Sequence, residues 1–284
     1  MLFGTRLVIL ALLVGLSIAP ARADHGAPYH FGVLNQRSVA LTAQYWNPIL
    51  EYVSNKSGVP LALKMGKTAV ETTEMTVRGE FAFAYTNHLF TPERVRLGYR
   101  VIARGDAAPI RATIIVPQES SLQSLKELDG KMVAFPSREA FVGYWVPMDA
   151  LLKANVKVKP SFAGNQEGAM GQLQAGIVAA AAVNAQVLEN YARREGFTYR
   201  ALWTSDGYHG LPVIANPTVP VEKVEAVRKA LIGMSADPEG QRVLRAGAEL
   251  LKLKKPVGFL RAGDEDYANY RRFYQTTLVK AEHK

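Results

Sequence analysis

A turn at residues 85–88, with the sequence Tyr-Thr-Asn-His, carries four side chains that could bind an anion. Its two hydroxyls donate O–H groups, the Asn87 amide donates N–H, and His88 donates a ring N–H or carries a positive charge. The turn follows a continuously apolar segment, which is typical of a buried parallel strand. Because loops at the carboxyl ends of parallel strands line the ligand cleft of α/β sheets, we predict ligand contacts for Tyr85, Thr86, Asn87 and His88. The alternatives are a core tyrosine and a solvated histidine.

A second polar and aromatic segment, Ser-Asp-Gly-Tyr-His-Gly, occupies residues 205–210. Its glycines allow it to act as a hinge between two lobes, where it could present Tyr208 or His209 to a ligand. An ordinary surface loop is the alternative interpretation.

The chain lacks the sequence signatures of most catalytic and metal sites. It contains no cysteine, which excludes disulfides, thiolate zinc sites, iron–sulfur clusters and a cysteine nucleophile. It also contains no GxSxG, HExxH, P-loop or GxGxxG motif. His25 and His30 could chelate Cu²⁺ near a processed N-terminus, but a frayed polar terminus is favoured. We therefore predict a protein that is not an enzyme, without catalytic residues, metal or cofactor.

Alternating apolar strands and amphipathic helices predict two α/β units. The first, at residues 29–105, has the order β-α-β-α-β, which implies a parallel sheet covered by helices. The second occupies about residues 111–204. The helices after residue 218 have too little chain for a third domain and are expected to return to the first lobe. The predicted division is a signal peptide at 1–23, lobe one at 24–110 and 210–284, and lobe two at 111–209.

Short sequence patterns predict several helix ends. A helix over 41–56 should end at Gly58, and another over 69–78 should end at Gly79. Ser124 and Glu127 fit a capping box, and Ser137 could cap the helix that follows it. Two further patterns lie near the C-terminus: a helix start at Asp237-Pro238, and one shared apolar face formed by Val221, Val224, Leu231 and Met234.

The N-terminus has the pattern of a secretory signal peptide. Arg6 precedes an apolar run at 7–18, and Ala21-Arg22-Ala23 provides a small-x-small cleavage site. Cleavage after Ala23 removes two arginines and no acid, which lowers the net charge from +9 to +7. No cysteine follows the cleavage site, so a lipoprotein is not expected. The remaining positive charge is dispersed, and a nucleic-acid partner is not predicted.

Several segments in a fixed order resemble one known family. They are FGVLNQ at 31–36, WNPIL at 46–50, GEFAFAYTN at 79–87, LKELDGKMVAF at 125–135, GYWVP at 143–147, LPVIANPTVP at 211–220 and ADPEGQRVL at 236–244. The chain resembles the PhnD-like periplasmic solute-binding proteins, which are the receptors of phosphate, phosphite and phosphonate ABC importers. The resemblance implies a periplasmic-binding-protein type II fold, in which two α/β lobes joined by two hinge crossovers close over a small oxyanion.

The same resemblance indicates an altered ligand motif. Relatives usually carry a Ser-Thr-Ser-Gly-Tyr run after the strand that matches 132–135, and its hydroxyls and N–H groups hold the anion. The matching run here is AFVGY at 140–144, so three hydroxyls are absent, although Ser137 and Arg138 stand nearby. Phe141 and the valine after it would make the site narrower and more apolar. Gly143 and Tyr144 complete the run as candidate contacts.

Two further positions differ from the relatives. Asn165 stands where relatives often have His or a similar polar residue, and Ala179 stands where they have Asp, with Asn184 just beyond that strand. Asn165 and Asn184 are candidate contacts. We expect a ligand that is bulkier or less charged than a typical phosphonate.

The resemblance implies a monomeric periplasmic protein that delivers its ligand to an ABC permease in the inner membrane. A ligand sensor that signals to a membrane histidine kinase or chemoreceptor is the alternative, and an enzyme on the same fold is a minor one. In the proposed mechanism the ligand bridges residues 85–88 of lobe one and residues 137–144 of lobe two.

Overall fold

The computed structural model of the protein describes Met1 and residues 27–280. Within these residues, six strands form the first sheet. The strand order is β11-β4-β10-β3-β1-β2, with parallel pairing of β1 to β2 and to β3 and antiparallel pairing of the others. The predicted β-α-β-α-β unit with a parallel sheet is confirmed. The strands are β1 Tyr29–Val33, β2 Leu61–Lys64, β3 Phe83–Tyr85, β4 Arg100–Gly105, β10 Pro212–Ala215 and β11 Phe259–Arg261.

Five strands form the second sheet, in the order β7-β6-β8-β5-β9. Strand β6 pairs in parallel with β7 and β8, whereas β5 pairs antiparallel with β8 and β9. These strands are β5 Ala112–Pro117, β6 Met132–Phe135, β7 Lys159–Phe162, β8 Ala180–Asn184 and β9 Tyr199–Thr204. The chain thus leaves the first sheet after β4 and returns to it at β10.

Nine α-helices of the described residues cover the two sheets, so the fold is mixed α/β as predicted. They are α1 Val39–Ser57, α2 Ala69–Val77, α3 Pro92–Val95, α4 Val146–Lys153, α5 Gln166–Gln174, α6 Ala185–Glu195, α7 Val221–Gly233, α8 Pro238–Leu250 and α9 Ala268–Thr276. Helices α7 and α8 pack on α1 beside the first sheet. The predicted signal peptide, its cleavage site and His25 lie outside the described residues.

Local chemistry explains most of the helix ends. Gly58 ends α1 in the left-handed conformation, as predicted, because glycine has no Cβ to oppose a positive φ. Asp237 accepts hydrogen bonds from the N–H groups of Glu239 and Gly240, and Pro238 takes the first position of α8, as predicted.

Three local predictions are wrong. Ser137 caps no helix, because the following element is a π-helical turn at Phe141–Trp145 that begins at Ala140. Ser124 donates to the Glu127 carboxylate instead of accepting from its backbone N–H, so no capping box forms. Val221 is 58% exposed, because it starts α7 while the other members of its predicted face are buried.

The C-terminal helix contacts both halves of the molecule. On the first-sheet side, the Tyr267 ring that precedes α9 stacks on Phe90 at 5.0 Å. On the second-sheet side, Tyr270 lies 4.1 Å from Phe141, and the Asp149 carboxylate accepts hydrogen bonds from the Thr277 hydroxyl and the next backbone N–H. The C-terminal segment therefore connects the two sheets in addition to the two chain crossovers.

Candidate functional site

The larger of two neighbouring cavities has a volume of about 120 Å³. Its walls come from the end of β1 and the segment after it, from the end of β3, from α1, from the start of α6 and from the loop at 251–257 before β11. The carboxyl ends of strands from both sheets therefore meet there, which is the usual ligand position in an open α/β fold. We call it the Arg37 cavity; its polar and aromatic lining includes Gln36, Arg37, Tyr45, Trp46, Tyr85, Asn184, Gln186, Asn190 and Phe259.

Arg37 is the cation of this cavity. Across residues 27–280 its guanidinium makes no hydrogen bond and no ion pair. Burial lowers the pKa of Arg37, and the charge of Glu167 partly opposes this shift. Glu167 is itself ion-paired with Arg194 at 2.8 Å, so its charge is already compensated. The positive charge of Arg37 therefore remains available to an anion inside the cavity.

Aromatic rings form one wall beside this cation. The Trp46 ring lies 4.8 Å from Tyr85, 5.9 Å from Tyr45 and 6.1 Å from Phe259. Burial raises the pKa of Tyr45 and of Tyr85, so both phenols stay protonated and can donate hydrogen bonds. This wall combines apolar surface with two hydroxyl donors next to a guanidinium.

The opposite wall is the start of α6. Asn184 ends β8 and caps this helix, because its Oδ1 accepts a hydrogen bond from the Gln186 N–H at 2.9 Å. The Gln186 side chain in turn donates to the Ala108 carbonyl at 2.6 Å. The N-terminal end of a helix carries partial positive charge, which also favours an anion in the cavity.

The loop at 251–257 covers the cavity and is attached to α6. Leu253 and Val257 line the cavity. Arg193 of α6 donates two hydrogen bonds to the Lys252 carbonyl, at 3.2 and 3.1 Å, and Lys254 pairs with Glu189 at 3.3 Å. A loop that follows α8 on the first-sheet side is therefore held by a helix on the second-sheet side.

The second cavity is far smaller, at about 20 Å³. We call it the Ser137 cavity; four predicted ligand contacts line it, namely Asn87, His88, Ser137 and Phe141. Three lining residues are shared with the Arg37 cavity: Leu34, Gln36 and Leu211. Its volume suits roughly one water molecule and is too small for a tetrahedral oxyanion. The Ser137 hydroxyl is buried there and has no hydrogen-bond partner within the described part of the chain.

His88 is buried in its neutral form. Burial, together with the nearby charge of Arg94, lowers the pKa of His88 to about 3. The Thr73 hydroxyl donates to the Ala69 carbonyl at 2.7 Å, so it must accept from His88 Nδ1 at 2.8 Å. Nδ1 then carries the proton, and Nε2 is left as an acceptor. A neutral histidine does not supply the positive charge that was one of the two roles predicted for His88, and its Nδ1–H is already donated to Thr73.

Phe141 occupies the space where the resemblance places hydroxyl groups. Only 1% of the residue is exposed, and its ring lies 4.8 Å from Tyr208, 4.1 Å from Tyr270 and 5.0 Å from Phe273. The expected narrow and apolar character is thus present, and α9 supplies two of the three rings.

The remaining predicted contacts line neither of these two cavities. The Thr86 hydroxyl accepts a hydrogen bond from the His88 N–H at 3.1 Å, and Asn165 caps α5 by accepting from Gly168 at 2.8 Å. The Arg138 guanidinium lies 4.7 Å from the Phe162 ring. These three side chains have structural partners, and their contact with a ligand stays a prediction.

The other three residues of this group lie in packed surroundings. The Tyr144 ring packs against Phe135 and Phe162, at 5.2 and 5.4 Å, and Tyr208 packs on Phe141. A Cβ on Gly143 would lie only 2.7 Å from a side-chain atom of Pro136 and 2.9 Å from the Gln166 amide nitrogen. Glycine therefore permits the close approach of this turn to its neighbours.

Sequence reasoning missed the residues that give the larger cavity its charge. It selected Tyr85 and Asn184, but not Gln36, Arg37, Tyr45 or Trp46. The signal was present, because Gln36 and Arg37 follow β1 as residues 86–88 follow β3, at the same edge of the sheet. The contributions of α1, α6 and the 251–257 loop depend on tertiary packing.

Two further observations concern metal and membrane. Within the described ranges, no group of three or more His, Cys, Asp or Glu side chains is arranged to hold a metal ion. Across the same residues, no helix is both long and apolar enough to traverse a bilayer.

Two sheets joined by crossovers, with a cavity where their strand ends meet, are the architecture of the type II periplasmic-binding fold. The family model described as "ABC transporter, phosphonate, periplasmic substrate-binding protein" matches residues 31–267. The chain belongs to this family, and the predicted resemblance is confirmed. It is therefore a member of a family of periplasmic substrate-binding proteins of ABC transporters.

Solved structures agree on the fold. A binding-protein component of a phosphonate ABC transporter from Pseudomonas aeruginosa aligns with a TM-score of 0.75 and 18% identity, over 87% of this chain and 85% of that one. PhnD1 from Prochlorococcus marinus, in complex with methylphosphonate, aligns with a TM-score of 0.74 and 16% identity, over 87% and 97%. A protein from Xanthomonas citri bound to ATP aligns with a TM-score of 0.65 and 14% identity, over 87% and 95%. No curated protein matches the chain in sequence.

Proposed function

We propose that this protein captures a small anionic solute in the Arg37 cavity and delivers it to an ABC permease in the inner membrane. The observation that carries the proposal is the unpaired guanidinium of Arg37 in a cavity between the two sheets. A planar guanidinium with two N–H groups directed at one ligand is the usual protein partner of an oxyanion.

The mechanism follows from the two walls of the cavity. Arg37, Tyr45 and Tyr85 belong to the first-sheet side, whereas Asn184 and Gln186 belong to the second-sheet side. A ligand that contacts both walls stabilises the closed arrangement of the predicted lobes, 24–110 with 210–284 and 111–209. The permease would recognise that closed arrangement.

Compared with the sequence prediction, the proposal moves the ligand. The Ser137 cavity has little free volume, a neutral histidine and no cation in its lining among the described residues. The PhnD1 structure contains methylphosphonate and the Xanthomonas citri structure contains ATP, so proteins of similar fold bind anions of very different size. The same fold can thus bind different anions through different linings.

The test is a binding screen on the mature protein, with residues 1–23 removed. Thermal shift and calorimetry are run with acetate, benzoate, sulfate, inorganic phosphate and methylphosphonate. An anion at 100 times its Kd should stabilise the protein by about 2.7 kcal/mol. Arg37→Ala should weaken the best anion by about 100-fold, because two charge-assisted hydrogen bonds are lost.

Arg242→Ala is the matched control, because Arg242 lies exposed on α8. Equal anion affinity in the Arg37→Ala and Arg242→Ala variants would contradict the proposed site. Delivery is tested separately with the reconstituted permease, whose ATPase activity should rise with the liganded protein. A liganded protein that leaves this activity unchanged would favour the sensory alternative.

A further inference from the structure

The charge of the Arg37 cavity limits the charge of its ligand. Within the lining that the structure describes, Arg37 is the one charged side chain, and there is no Asp, Glu, Lys or His. The start of α6 adds a partial positive charge of about half an elementary charge. Asn184 already caps that helix, so its first N–H groups are partly occupied. The cavity therefore compensates one negative charge well and two charges incompletely.

Partial burial of the lining strengthens this limit. Arg37, Tyr45 and Tyr85 are half-buried, and partial loss of water lowers the pKa of Arg37 and raises the pKa of the two tyrosines. A buried charge without a partner is strongly unfavourable, because the ion loses its hydration without a replacement. The second charge of a phosphonate or phosphate dianion would be in this position.

The rest of the lining favours an apolar ligand body. Six apolar or aromatic residues line the same cavity: Trp46, Phe259, Val187, Leu251, Leu253 and Val257. The volume of about 120 Å³ is close to the roughly 150 Å³ of an engineered apolar cavity that binds benzene. A headgroup alone would leave much of this surface without contact.

From these three observations we infer that the ligand is a small organic monoanion with an apolar body, such as a carboxylate. The inference rests on the proposed function, because it uses the same cavity. It specifies the charge and the apolar body of the ligand, which the family description does not give.

The experiment compares ligands that differ in one property at a time, at pH 8. Benzenesulfonate and phenylphosphonate share a ring and three tetrahedral oxygens, but the first has one negative charge and the second has about two. Methanesulfonate and methylphosphonate repeat this comparison with a smaller body. Acetate against benzoate tests the apolar body, and benzamide against benzoate tests the charge.

We expect each monoanion to bind at least ten-fold tighter than the dianion of the same skeleton. We also expect benzoate to bind at least ten-fold tighter than acetate and than benzamide. A phosphonate that binds as tightly as its matched sulfonate, or acetate that equals benzoate, would overturn the inference.

Two variants separate this outcome from failure of the proposed function. Leu253→Asn places a polar group on the apolar wall, and it should weaken benzoate several-fold while acetate is unchanged. If phosphonate dianions bind tightest and Arg37→Ala still abolishes their binding, the proposed site stands and the ligand class is wrong. If Arg37→Ala changes the binding of no anion, the proposed site fails as well.

Discussion

The Arg37 cavity and the Ser137 cavity are neighbours with opposite characters. They share Leu34, Gln36 and Leu211, yet one has about 120 Å³ of space and the other about 20 Å³. The larger one contains a cation, Arg37, that has no partner among the described residues. The smaller one contains a neutral histidine and a buried hydroxyl without a partner within residues 27–280. Both lie at strand ends, so their position in the fold alone does not decide which one binds a ligand.

The difference comes from a few side chains. Phe141 fills the small cavity because α9 surrounds it with Tyr270 and Phe273. Within residues 27–280 Arg37 has no ion-pair partner, and the nearby carboxylate of Glu167 pairs with Arg194 instead. The Ser137 cavity thus lacks the polar groups expected at Phe141, while the neighbouring Arg37 cavity offers a positive charge. Each prediction below changes one side of this contrast.

The largest expected effect is on stability, from Phe141→Ala. The ring is almost fully buried among aromatic neighbours, so its removal should lower the free energy of unfolding by about 3–5 kcal/mol. Phe141→Leu, which keeps most of the volume, should cost less than about 1.5 kcal/mol. Urea denaturation of both variants measures these values.

Ligand affinity in the same variants tests the contrast directly. If the Arg37 cavity is the binding site, folded Phe141→Ala and Phe141→Leu proteins should bind the best anion within about three-fold of wild type, since Phe141 does not line that cavity. A change of more than ten-fold in both variants would show that the Ser137 cavity takes part in binding.

The strand ends show how far the sequence could predict the site. Alternation of strands and helices, with Gly58 and Asp237 at helix ends, is local information, and it predicted seven strands. It did not predict the other four, which are β4, β7, β10 and β11. The rule that strand ends carry ligands applies to β1 as well as to β3, and it would have found Arg37. Phe141 and Tyr270 are far apart in the chain, so only tertiary packing shows that α9 closes the small cavity. The contact between Lys252 and Arg193 has the same origin.

A second prediction concerns pH and His88. Its pKa of about 3 lies below the value of about 6.5 in the unfolded chain, so the unfolded state binds a proton first as the pH falls. The contribution of His88 to stability is therefore complete above pH 6.5. Below that it is lost, by up to about 1.4 kcal/mol per pH unit, until pH 3. Urea denaturation from pH 7 to pH 4 should show this slope.

The matched variant is His88→Gln, which keeps a polar group but cannot gain a proton. Its unfolding free energy should fall less steeply with decreasing pH than that of wild type. Parallel pH profiles of the two proteins would mean that the buried, neutral state of His88 is not the source of the slope. Anion affinity at pH 7 should be similar in both, because His88 does not line the Arg37 cavity.

Gly143→Ala tests the tight packing around the small cavity. The added Cβ would lie 2.7 Å from Pro136 and 2.9 Å from the Gln166 amide, so about 1–3 kcal/mol of stability should be lost. Gly171→Ala is the control. Gly171 lies inside α5, and nothing lies within 4 Å of a Cβ added there, so this variant protein should be more stable than wild type by about 0.5–1 kcal/mol. Equal melting temperatures for the two variants would contradict the packing argument.

The smallest effect is expected at the loop that covers the Arg37 cavity. Arg193→Ala removes both hydrogen bonds to the Lys252 carbonyl, and Lys254→Ala removes the ion pair with Glu189. These contacts are exposed, so each change should alter stability by no more than about 1 kcal/mol.

Because the loop holds Leu253 and Val257 against the ligand space, ligand release should accelerate two- to five-fold in Arg193→Ala, with little change in the association rate. Stopped-flow measurement with benzoate as the probe gives both rates, and Arg242→Ala serves again as the control. An unchanged ligand dissociation rate in Arg193→Ala would mean that the 251–257 loop does not help to retain the ligand. The two cavities would then be distinguished by their size and charge only.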